Sequence, residues 1–236
     1  MRTRSFFFRL SLMLLLMLTA AAFCTAEGAG PADSAAVGSY IVFGSCEQDG
    51  NPVNGPEPIE WLVLDRQDDR LLVISRYALD SKPYNDKWAG AVWEDCTLRA
   101  WLNDDFFSAA FTDSEQAMIP TVTVPADKNP SFPSVNAGSA TQDKLFLLSI
   151  PEVEKYLPTN SSMSCEPTAY AVLQGVDWTP STKNPCLYCV WWLRTPGMDS
   201  CSIARVNFLG GVLKSGDTIN AKDNAVRPAM WIDLTP

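Results

Sequence analysis

Short apolar segments separated by turn residues make up most of the chain after its first forty residues. Three of them, Tyr40–Gly44, Ile59–Leu64 and Leu71–Ser75, have the length and the β-branched or aromatic content of strands. The polar pair Asp68 and Asp69 separates the second segment from the third, which is typical of a turn. We therefore expect an antiparallel hairpin near the start of the folded domain.

A helix is predicted after the strands of this sheet. Apolar residues recur at intervals of three and four along one segment: Leu98, Trp101, Leu102 and Phe106. This pattern predicts a helix with one apolar stripe packed against the sheet. Two capping boxes, Thr112–Glu115 and Ser149–Glu152, predict that short helices begin there, and the second helix is expected to run through Tyr156.

The rest of the chain is richer in turns and strands. Pro125–Gln142 lacks periodicity and is rich in Pro, Ser, Asn and Gly, which predicts a long surface loop before a strand at Lys144–Leu148. Four further strands are predicted: Val190–Leu193, Ile203–Phe208, Val212–Lys214 and Val226–Leu234. No internal repeat or break in composition divides the sequence. We expect one α+β domain over residues 39–236, with antiparallel sheets and a few short helices.

The N-terminus has the three regions of a secretory signal. Arginines at positions 2, 4 and 9 precede the apolar run Leu10–Phe23, and small residues follow it. The run is shorter than the ~20 residues of a membrane span, so no membrane span is expected. Residues 1–26 are therefore predicted to be a signal peptide, residues 27–38 a flexible tether, and the mature protein to be secreted. A lipid anchor at Cys24 is the alternative, for which the bulky Phe23 is a poor fit.

The absence of histidine is the sharpest chemical fact in the sequence. It excludes Ser-His-Asp and Cys-His catalysis and every zinc site that needs imidazole. No phosphate-binding loop, dinucleotide-binding glycine pattern or nucleophile elbow is present. The net charge of −9 also argues against nucleic acid as a partner, because a phosphate-binding surface needs clustered Lys and Arg. The sequence thus favours a non-catalytic protein over an enzyme.

An even number of cysteines follows the predicted signal peptide: Cys46, Cys96, Cys165, Cys186, Cys189 and Cys201. In an exported chain this number indicates disulfides, whose pairing the sequence leaves open. Cys186 and Cys189 have the spacing of a redox motif or of half a zinc site. Because they follow a proline-rich loop instead of opening a helix, structural disulfides are the favoured interpretation.

Several residues of the C-terminal part could bind a ligand. An indole ring stacks on sugar faces, and in a strand Trp191 and Trp192 point to opposite sides, so we expect one to be core and Trp192 to be the candidate. Arg194 and Arg205 could present a guanidinium fork to an anion or pair with a carboxylate. Arg227, which precedes an apolar strand, is expected to be structural.

A cofactor is not expected, although calcium is possible. Oxygen ligands are concentrated in one short stretch that contains Asp217, Asn220, Asp223 and Asn224. The competing interpretation is that these residues form polar turns between strands, because Asn and Asp are preferred turn residues.

Several segments, in order, resemble one known family. They read "PIEWLVLD", "LLVISRYALDSKPYN", "WEDCTLRAWLNDDFFSAAFTDSE", "DKLFLLSIPEVEKY", "WWLRTPG" and "AVRPAMWIDL". The order is similar to the domain of unknown function 6273 family, found in secreted proteins of Gram-positive gut bacteria, from about Tyr40 to Leu234. The C-terminal half of that family resembles the C-type-lectin-like fold of formylglycine-generating-enzyme-like proteins.

The ending of the chain, a Trp-Leu-Arg segment followed by Gly-rich hairpins and a Val-Arg-Pro-Ala strand, is also similar to that of variable binding proteins diversified by retroelements. This resemblance implies ligand contacts between Ser202 and Asn224, where the exposed candidate positions are Asn207, Leu209, Lys214, Asn220, Lys222 and Asn224. No catalytic motif carries over, and the additional cysteines depart from the usual family pattern. The expected function is a secreted, non-catalytic module that binds an extracellular glycan, peptide or surface protein, with an unknown oligomeric state. One alternative is a polysaccharide hydrolase that uses paired carboxylates such as Glu57 and Glu60. The other is a purely structural, disulfide-stapled surface domain.

Overall fold

The computed structural model describes residues 35–180 and 187–234. The predicted signal peptide, Cys24, most of the predicted tether and Cys186 lie outside the described residues. The end of the tether lies against the domain, because buried Ala35 accepts a hydrogen bond from Arg66 Nη1 through its carbonyl at 3.1 Å. Gly38 N donates to Val63 O at 2.8 Å. In the described ranges, no helix combines the length and apolar character needed to cross a membrane.

Short strands and helices alternate along the described chain. The strands are β1 (Tyr40–Cys46), β2 (Glu57–Gln67), β3 (Arg70–Ser75), β4 (Asp80–Ser81), β5 (Val122–Val124), β6 (Thr141–Asp143), β7 (Leu145–Phe146), β8 (Trp178–Pro180), β9 (Leu187–Cys189), β10 (Trp191–Pro196), β11 (Ser202–Val206), β12 (Val212–Thr218), β13 (Ala225–Val226) and β14 (Ala229–Asp233). The α-helices are α1 (Thr97–Trp101), α2 (Phe107–Ala110), α3 (Asp113–Met118), α4 (Ile150–Tyr156), α5 (Asn160–Met163) and α6 (Ala169–Leu173). A 3₁₀ turn at Trp93–Asp95 precedes α1, and a π-helical segment at Leu102–Phe106 connects α1 to α2.

Two larger sheets organise the domain, which confirms the predicted α+β class. The first has the order β1-β2-β3-β14-β7 and is antiparallel throughout. It contains the predicted hairpin of β2 and β3, whose turn residue Asp68 has a φ of 51°, a left-handed conformation that Asp tolerates. The second has the order β12-β11-β10-β13-β4, in which β13 runs parallel to β10.

The prediction of one continuous strand over Val226–Leu234 was wrong. The chain leaves the second sheet after β13 and joins the first sheet as β14, with Arg227 and Pro228 between the two strands. Pro228 has no N–H to contribute to a ladder, and its carbonyl accepts a hydrogen bond from Ser75 N at 2.9 Å. This crossing links the two sheets.

The helix predictions were confirmed with one local difference. Both capping boxes are present, at the starts of α3 and α4. In the predicted apolar stripe, Leu98, Leu102 and Phe106 are buried. Trp101 is only half-buried, and the helix widens into its π-helical segment at the next residue. The stripe therefore packs on the core along its length, and only part of the Trp101 side chain remains accessible.

The predicted surface loop Pro125–Gln142 is partly interior. Asn129 is fully buried, and its Nδ2 donates to Pro196 O at 2.8 Å and to Lys214 O at 2.7 Å. These bonds attach the loop to β10 and β12, which explains how a proline-rich segment without periodicity is held in one position. At its end, β6 pairs with β5 as a short hairpin.

One apolar core contains residues of both large sheets. Trp61, Trp191 and Trp192 are fully buried within it. The expectation that only one of the adjacent tryptophans would be core was wrong. Because β10 lies between β11 and β13, with packed structure over both faces, the two rings point to opposite sides and are buried on each.

Candidate functional site

An open cavity of about 380 Å³ lies beside α1. One wall is the segment Lys82–Asp86, and the other is formed by α1 and the first residues of the π-helical segment. Its lining residues are Lys82, Pro83, Asp86, Thr97, Leu98, Ala100, Trp101, Asp104 and Asp105. This cavity, named here the Trp101 cavity, combines an accessible aromatic ring with three exposed carboxylates and a lysine.

Hydrogen bonds hold the two walls at a fixed separation. Asp86 N donates to Thr97 Oγ1 at 3.0 Å, and Leu98 N donates to Tyr84 O at 3.2 Å. Asn85 connects the same wall to the C-terminal half, because its N donates to Ile219 O at 2.9 Å. The cavity is therefore preformed, which reduces the loss of conformational entropy when a ligand binds.

The π-helical segment positions the acidic side of the cavity. Asn103 fixes this segment on β7, since its Nδ2 donates to Leu145 O at 2.9 Å and its Oδ1 accepts from Lys144 N at 2.9 Å. Asp104 and Asp105, the next two residues, then remain on the exposed side of the helix. Single π-helical turns inside α-helices occur frequently at functional sites.

Lys82 connects the aromatic and the charged parts of the cavity. Its Nζ lies 4.4 Å from the centre of the Trp101 ring and 3.6 Å from Asp80 Oδ2. Burial raises the pKa of Asp80 above its ordinary value, while Lys82 acts in the opposite direction. Since Asp80 balances the lysine, the three exposed carboxylates give the opening a net negative charge.

A second exposed aromatic ring lies on the loop that continues the wall. Trp88, two residues after Asp86, is 63% exposed. It does not line the Trp101 cavity itself, but its ring offers further apolar contact area close to the cavity in sequence.

The sequence-predicted ligand residues occupy other places. Trp192 is fully buried behind the cavity wall, and its Nε1 donates to Lys82 O at 2.9 Å. Arg194 is 3% exposed and forms ion pairs with Glu152 and Asp127. Asn207 stabilises the turn between β11 and β12, where its Oδ1 accepts from Leu209 N and Gly211 N at 2.9 Å each.

The structure brings two of the predicted ligand residues, Arg205 and Asn224, into contact. Arg205 Nη1 lies 2.6 Å from Asp217 Oδ2 and 3.1 Å from Asn224 Oδ1. Asn224 is fully buried, whereas Asn220 is half-buried beyond the far end of β12 from Asn207. Ligand binding by these six residues stays a prediction, and no concave surface that joins them emerges from the described contacts.

Two of the possible calcium ligands, Asp217 and Asn224, are hydrogen-bonded to each other. Asn224 Nδ2 donates to Asp217 Oδ2 at 3.0 Å, and the carboxylate of Asp217 is paired with Arg205. Another acidic group, Glu47, Asp49 and Glu57, has ligand oxygens within 4.8 Å of one another. Its carboxylates accept hydrogen bonds from backbone amides, for example from Gly50 N to Glu47 Oε1 at 2.7 Å. Those bonds give this acidic group a loop-ordering role.

Sequence reasoning missed the Trp101 cavity because it assigned Trp101 to the core. The available signal was the pair Asp104–Asp105, which places two charges within the predicted helix close to its apolar stripe. What could not be read was the π-helical turn, which shifts the angular positions of the residues that follow it.

The described cysteines are free thiols. Cys165 and Cys189 are the pair that the structure places in contact. Both are buried, and Cys189 N donates to Cys165 O at 2.8 Å. Burial raises the pKa of the Cys189 thiol, whereas the neighbouring thiol and the charge of Arg227 lower the pKa of Cys165. Cys165 is therefore the thiol of the pair that favours the reactive thiolate form.

We expect refolding of the chain with oxidised glutathione to join Cys165 to Cys189. The two thiols lose their protons and two electrons, and glutathione disulfide is reduced to glutathione. Peptide mapping under non-reducing conditions should recover one linked peptide that contains both residues. Cys189→Ser should abolish it, and a link from Cys165 to any other cysteine would contradict this pairing.

The fold and the cavity define a single-domain α+β protein whose two linked sheets support a small, open, acidic cavity. The profile of the family described as Domain of unknown function (DUF6273) matches residues 68–234, more than half of the chain, and the protein belongs to that family. The resemblance given by the sequence segments is thereby confirmed for the family. Comparison with curated proteins and with solved structures found no match. The likeness to C-type-lectin-like folds stays a prediction.

Proposed function

We propose that this chain is an exported, non-catalytic module that binds a saccharide in the Trp101 cavity. The observation that carries the proposal is the position of the half-buried Trp101 ring beside three exposed carboxylates, Asp86, Asp104 and Asp105, in one open cavity. An indole offers an apolar face to the C–H groups of a sugar ring, and carboxylates accept hydrogen bonds from its hydroxyls.

The size and the electrostatics of the cavity support this ligand class. A volume of about 380 Å³ accommodates a sugar residue of an oligosaccharide. The excess of carboxylates disfavours phosphorylated or sulfated ligands, because like charges repel. It favours neutral sugars and amino sugars.

The proposal includes two further points: that the protein is exported, and that its C-terminal half is related to the C-type-lectin-like fold. The signal-like pattern of residues 1–26 supports secretion, where the protein would meet extracellular saccharides. The segments "WWLRTPG" and "AVRPAMWIDL" support a C-type-lectin-like relationship. Both inferences rest on sequence patterns.

The test is a glycan array followed by titration of the best ligand. We expect Trp101→Ala to weaken binding by at least about tenfold, because it removes the central aromatic contact. Asp104→Asn and Asp105→Asn should each weaken binding less, through single lost hydrogen-bond acceptors. Asp113→Asn, which removes an exposed charge from α3, is the matched control and should bind normally.

The same incubations separate binding from hydrolysis. A binding module leaves the saccharide intact, so no new reducing ends accumulate. Release of reducing sugar that Asp104→Asn abolishes would instead establish a hydrolase. Saccharide binding that survives Trp101→Ala would place the site elsewhere.

A further inference from the structure

A second cavity, of about 300 Å³, lies between the first sheet and the segment that contains α5. Its lining includes Arg76, Arg227, Glu166, Tyr40 and Tyr77. It is named here the Arg227 cavity, and it shares none of its lining residues with the Trp101 cavity.

Arg227 is the unusual residue of this cavity. It is 3% exposed, its Nε donates to Ser75 O at 3.0 Å, and its guanidinium lies 5.1 Å from the centre of the Trp191 ring. Its Nη1 is buried and has no hydrogen-bond partner within the described residues. Sequence reasoning assigned this arginine a structural role, which accounts for Nε and leaves Nη1 unexplained.

An unpartnered nitrogen on a buried charged group is costly. Buried polar atoms in proteins are nearly always hydrogen-bonded, and each exception calls for an explanation such as a bound water or ion. A buried guanidinium also needs a compensating negative charge. No carboxylate of the described chain forms an ion pair with Arg227. Both requirements are met by one anionic group bound in the cavity.

Arg76 does not compete for that anion. Its Nη1 lies 2.8 Å from Glu60 Oε2, so its charge is already balanced. Its guanidinium lies 4.8 Å from the centre of the Tyr40 ring and 5.0 Å from that of Tyr77. The arginine therefore holds two aromatic rings in place at the cavity, where they offer apolar contact area.

Glu166 limits the charge of the ligand. This half-buried glutamate lines the same cavity as Arg227 and would repel a second negative charge. With one guanidinium and one carboxylate in the same lining, a singly charged anion is repelled less than phosphate or sulfate. A carboxylate is such an anion, and its two oxygens match the spacing of guanidinium nitrogens.

We propose that the Arg227 cavity binds a small monocarboxylate with an apolar or aromatic body, whose carboxylate compensates the charge of the Arg227 guanidinium. The tyrosine rings contact the body of the ligand, and Glu166 excludes dianions. This site is independent of saccharide binding in the Trp101 cavity.

The test is calorimetric titration of the mature chain with three probes: sodium benzoate, benzyl alcohol and hydrogen phosphate. Benzoate should bind in a one-to-one complex. Benzyl alcohol, which keeps the ring and lacks the charge, should bind at least about tenfold more weakly, the cost of losing a charge-assisted hydrogen bond. Hydrogen phosphate should also bind more weakly than benzoate.

Two variants change the affinity in opposite directions. Arg227→Lys keeps the charge and loses the fork, so benzoate affinity should fall by at least about tenfold. Glu166→Gln removes the repelling charge at a half-buried position and should raise benzoate affinity about threefold. Asp113→Asn, which removes an exposed charge from α3 and lies outside both cavity linings, is the control and should leave benzoate affinity unchanged.

The decisive result does not depend on Arg227→Lys folding. If that variant unfolds, the order of the three probes and the gain in Glu166→Gln decide the outcome. Absence of benzoate binding, equal affinity for benzyl alcohol, tighter binding of phosphate, or no gain in Glu166→Gln would each overturn the proposal.

Discussion

Replacing Arg194 with methionine is expected to lower the free energy of unfolding by about 3 kcal/mol, the cost of breaking a buried ion pair by removing one partner. The arginine side chain is 2% exposed and lies between Glu152 and Asp127, with its Nη2 2.9 Å from Asp127 Oδ2. It also donates from Nη1 to Leu147 O at 2.8 Å and from Nε to Pro125 O at 3.1 Å. Methionine fills part of the volume and removes the donor to Leu147 O, Pro125 O and Asp127 Oδ2, while Glu152 Oε2 still accepts from Ser149 N.

The matched control for Arg194 is an arginine with one exposed partner. Arg70 is 51% exposed and its Nε lies 2.7 Å from Asp233 Oδ1, and exposed pairs of this kind contribute about 1 kcal/mol or less. Chemical denaturation of both variants measures the difference. If Arg194→Met and Arg70→Met lose the same stability, the buried network does not stabilise the fold as described.

Arg194 also shows why the sequence could not assign its own role. Glu152 and Asp127 are 42 and 67 residues away in the chain. No local pattern connects these three residues. The sequence around Arg194 would therefore look the same whether its guanidinium bound a ligand or was buried between two carboxylates. Burial and pairing are properties of tertiary structure, and they decide between the two.

Features set by neighbouring residues were predictable. The capping boxes at Thr112–Glu115 and Ser149–Glu152 depend on hydrogen bonds across three residues, and both are present. The β2–β3 hairpin depends on two apolar runs and a two-residue polar turn, and it is also present. These local signals gave the correct fold class and most element positions.

Features set by distant contacts were not predictable. The apolar run that begins at Val226 has the composition of one strand, yet it divides between two sheets: Val226 pairs in the second sheet, and Ala229–Asp233 pairs in the first, where Ser75 N donates to Pro228 O. Likewise, an apolar stripe at helical spacing gave no sign that Trp101 would face a cavity. The ring position follows from the π-helical segment after it and from the wall at Lys82.

Trp192 tests whether the cavity wall depends on the core behind it. We expect Trp192→Ala to lower the free energy of unfolding by about 3 to 5 kcal/mol, the usual cost of truncating a fully buried aromatic side chain. The ring packs edge-on against Tyr84, with centroids 6.0 Å apart, and its Nε1 holds Lys82 O at 2.9 Å. Its loss removes support from the wall that carries Lys82 and Asp86.

Trp192→Phe separates packing from the hydrogen bond. Phenylalanine retains much of the buried ring and leaves Lys82 O without its donor, so a smaller loss, about 1 to 2 kcal/mol, is expected. Saccharide affinity should fall together with stability, because the wall loosens while Trp101 remains. Trp101→Phe, at a half-buried ring on the ligand side, should weaken binding with little change in the unfolding transition. If Trp192→Phe instead abolishes binding at unchanged stability, Trp192 contacts the ligand directly, and the role of a buried support is wrong.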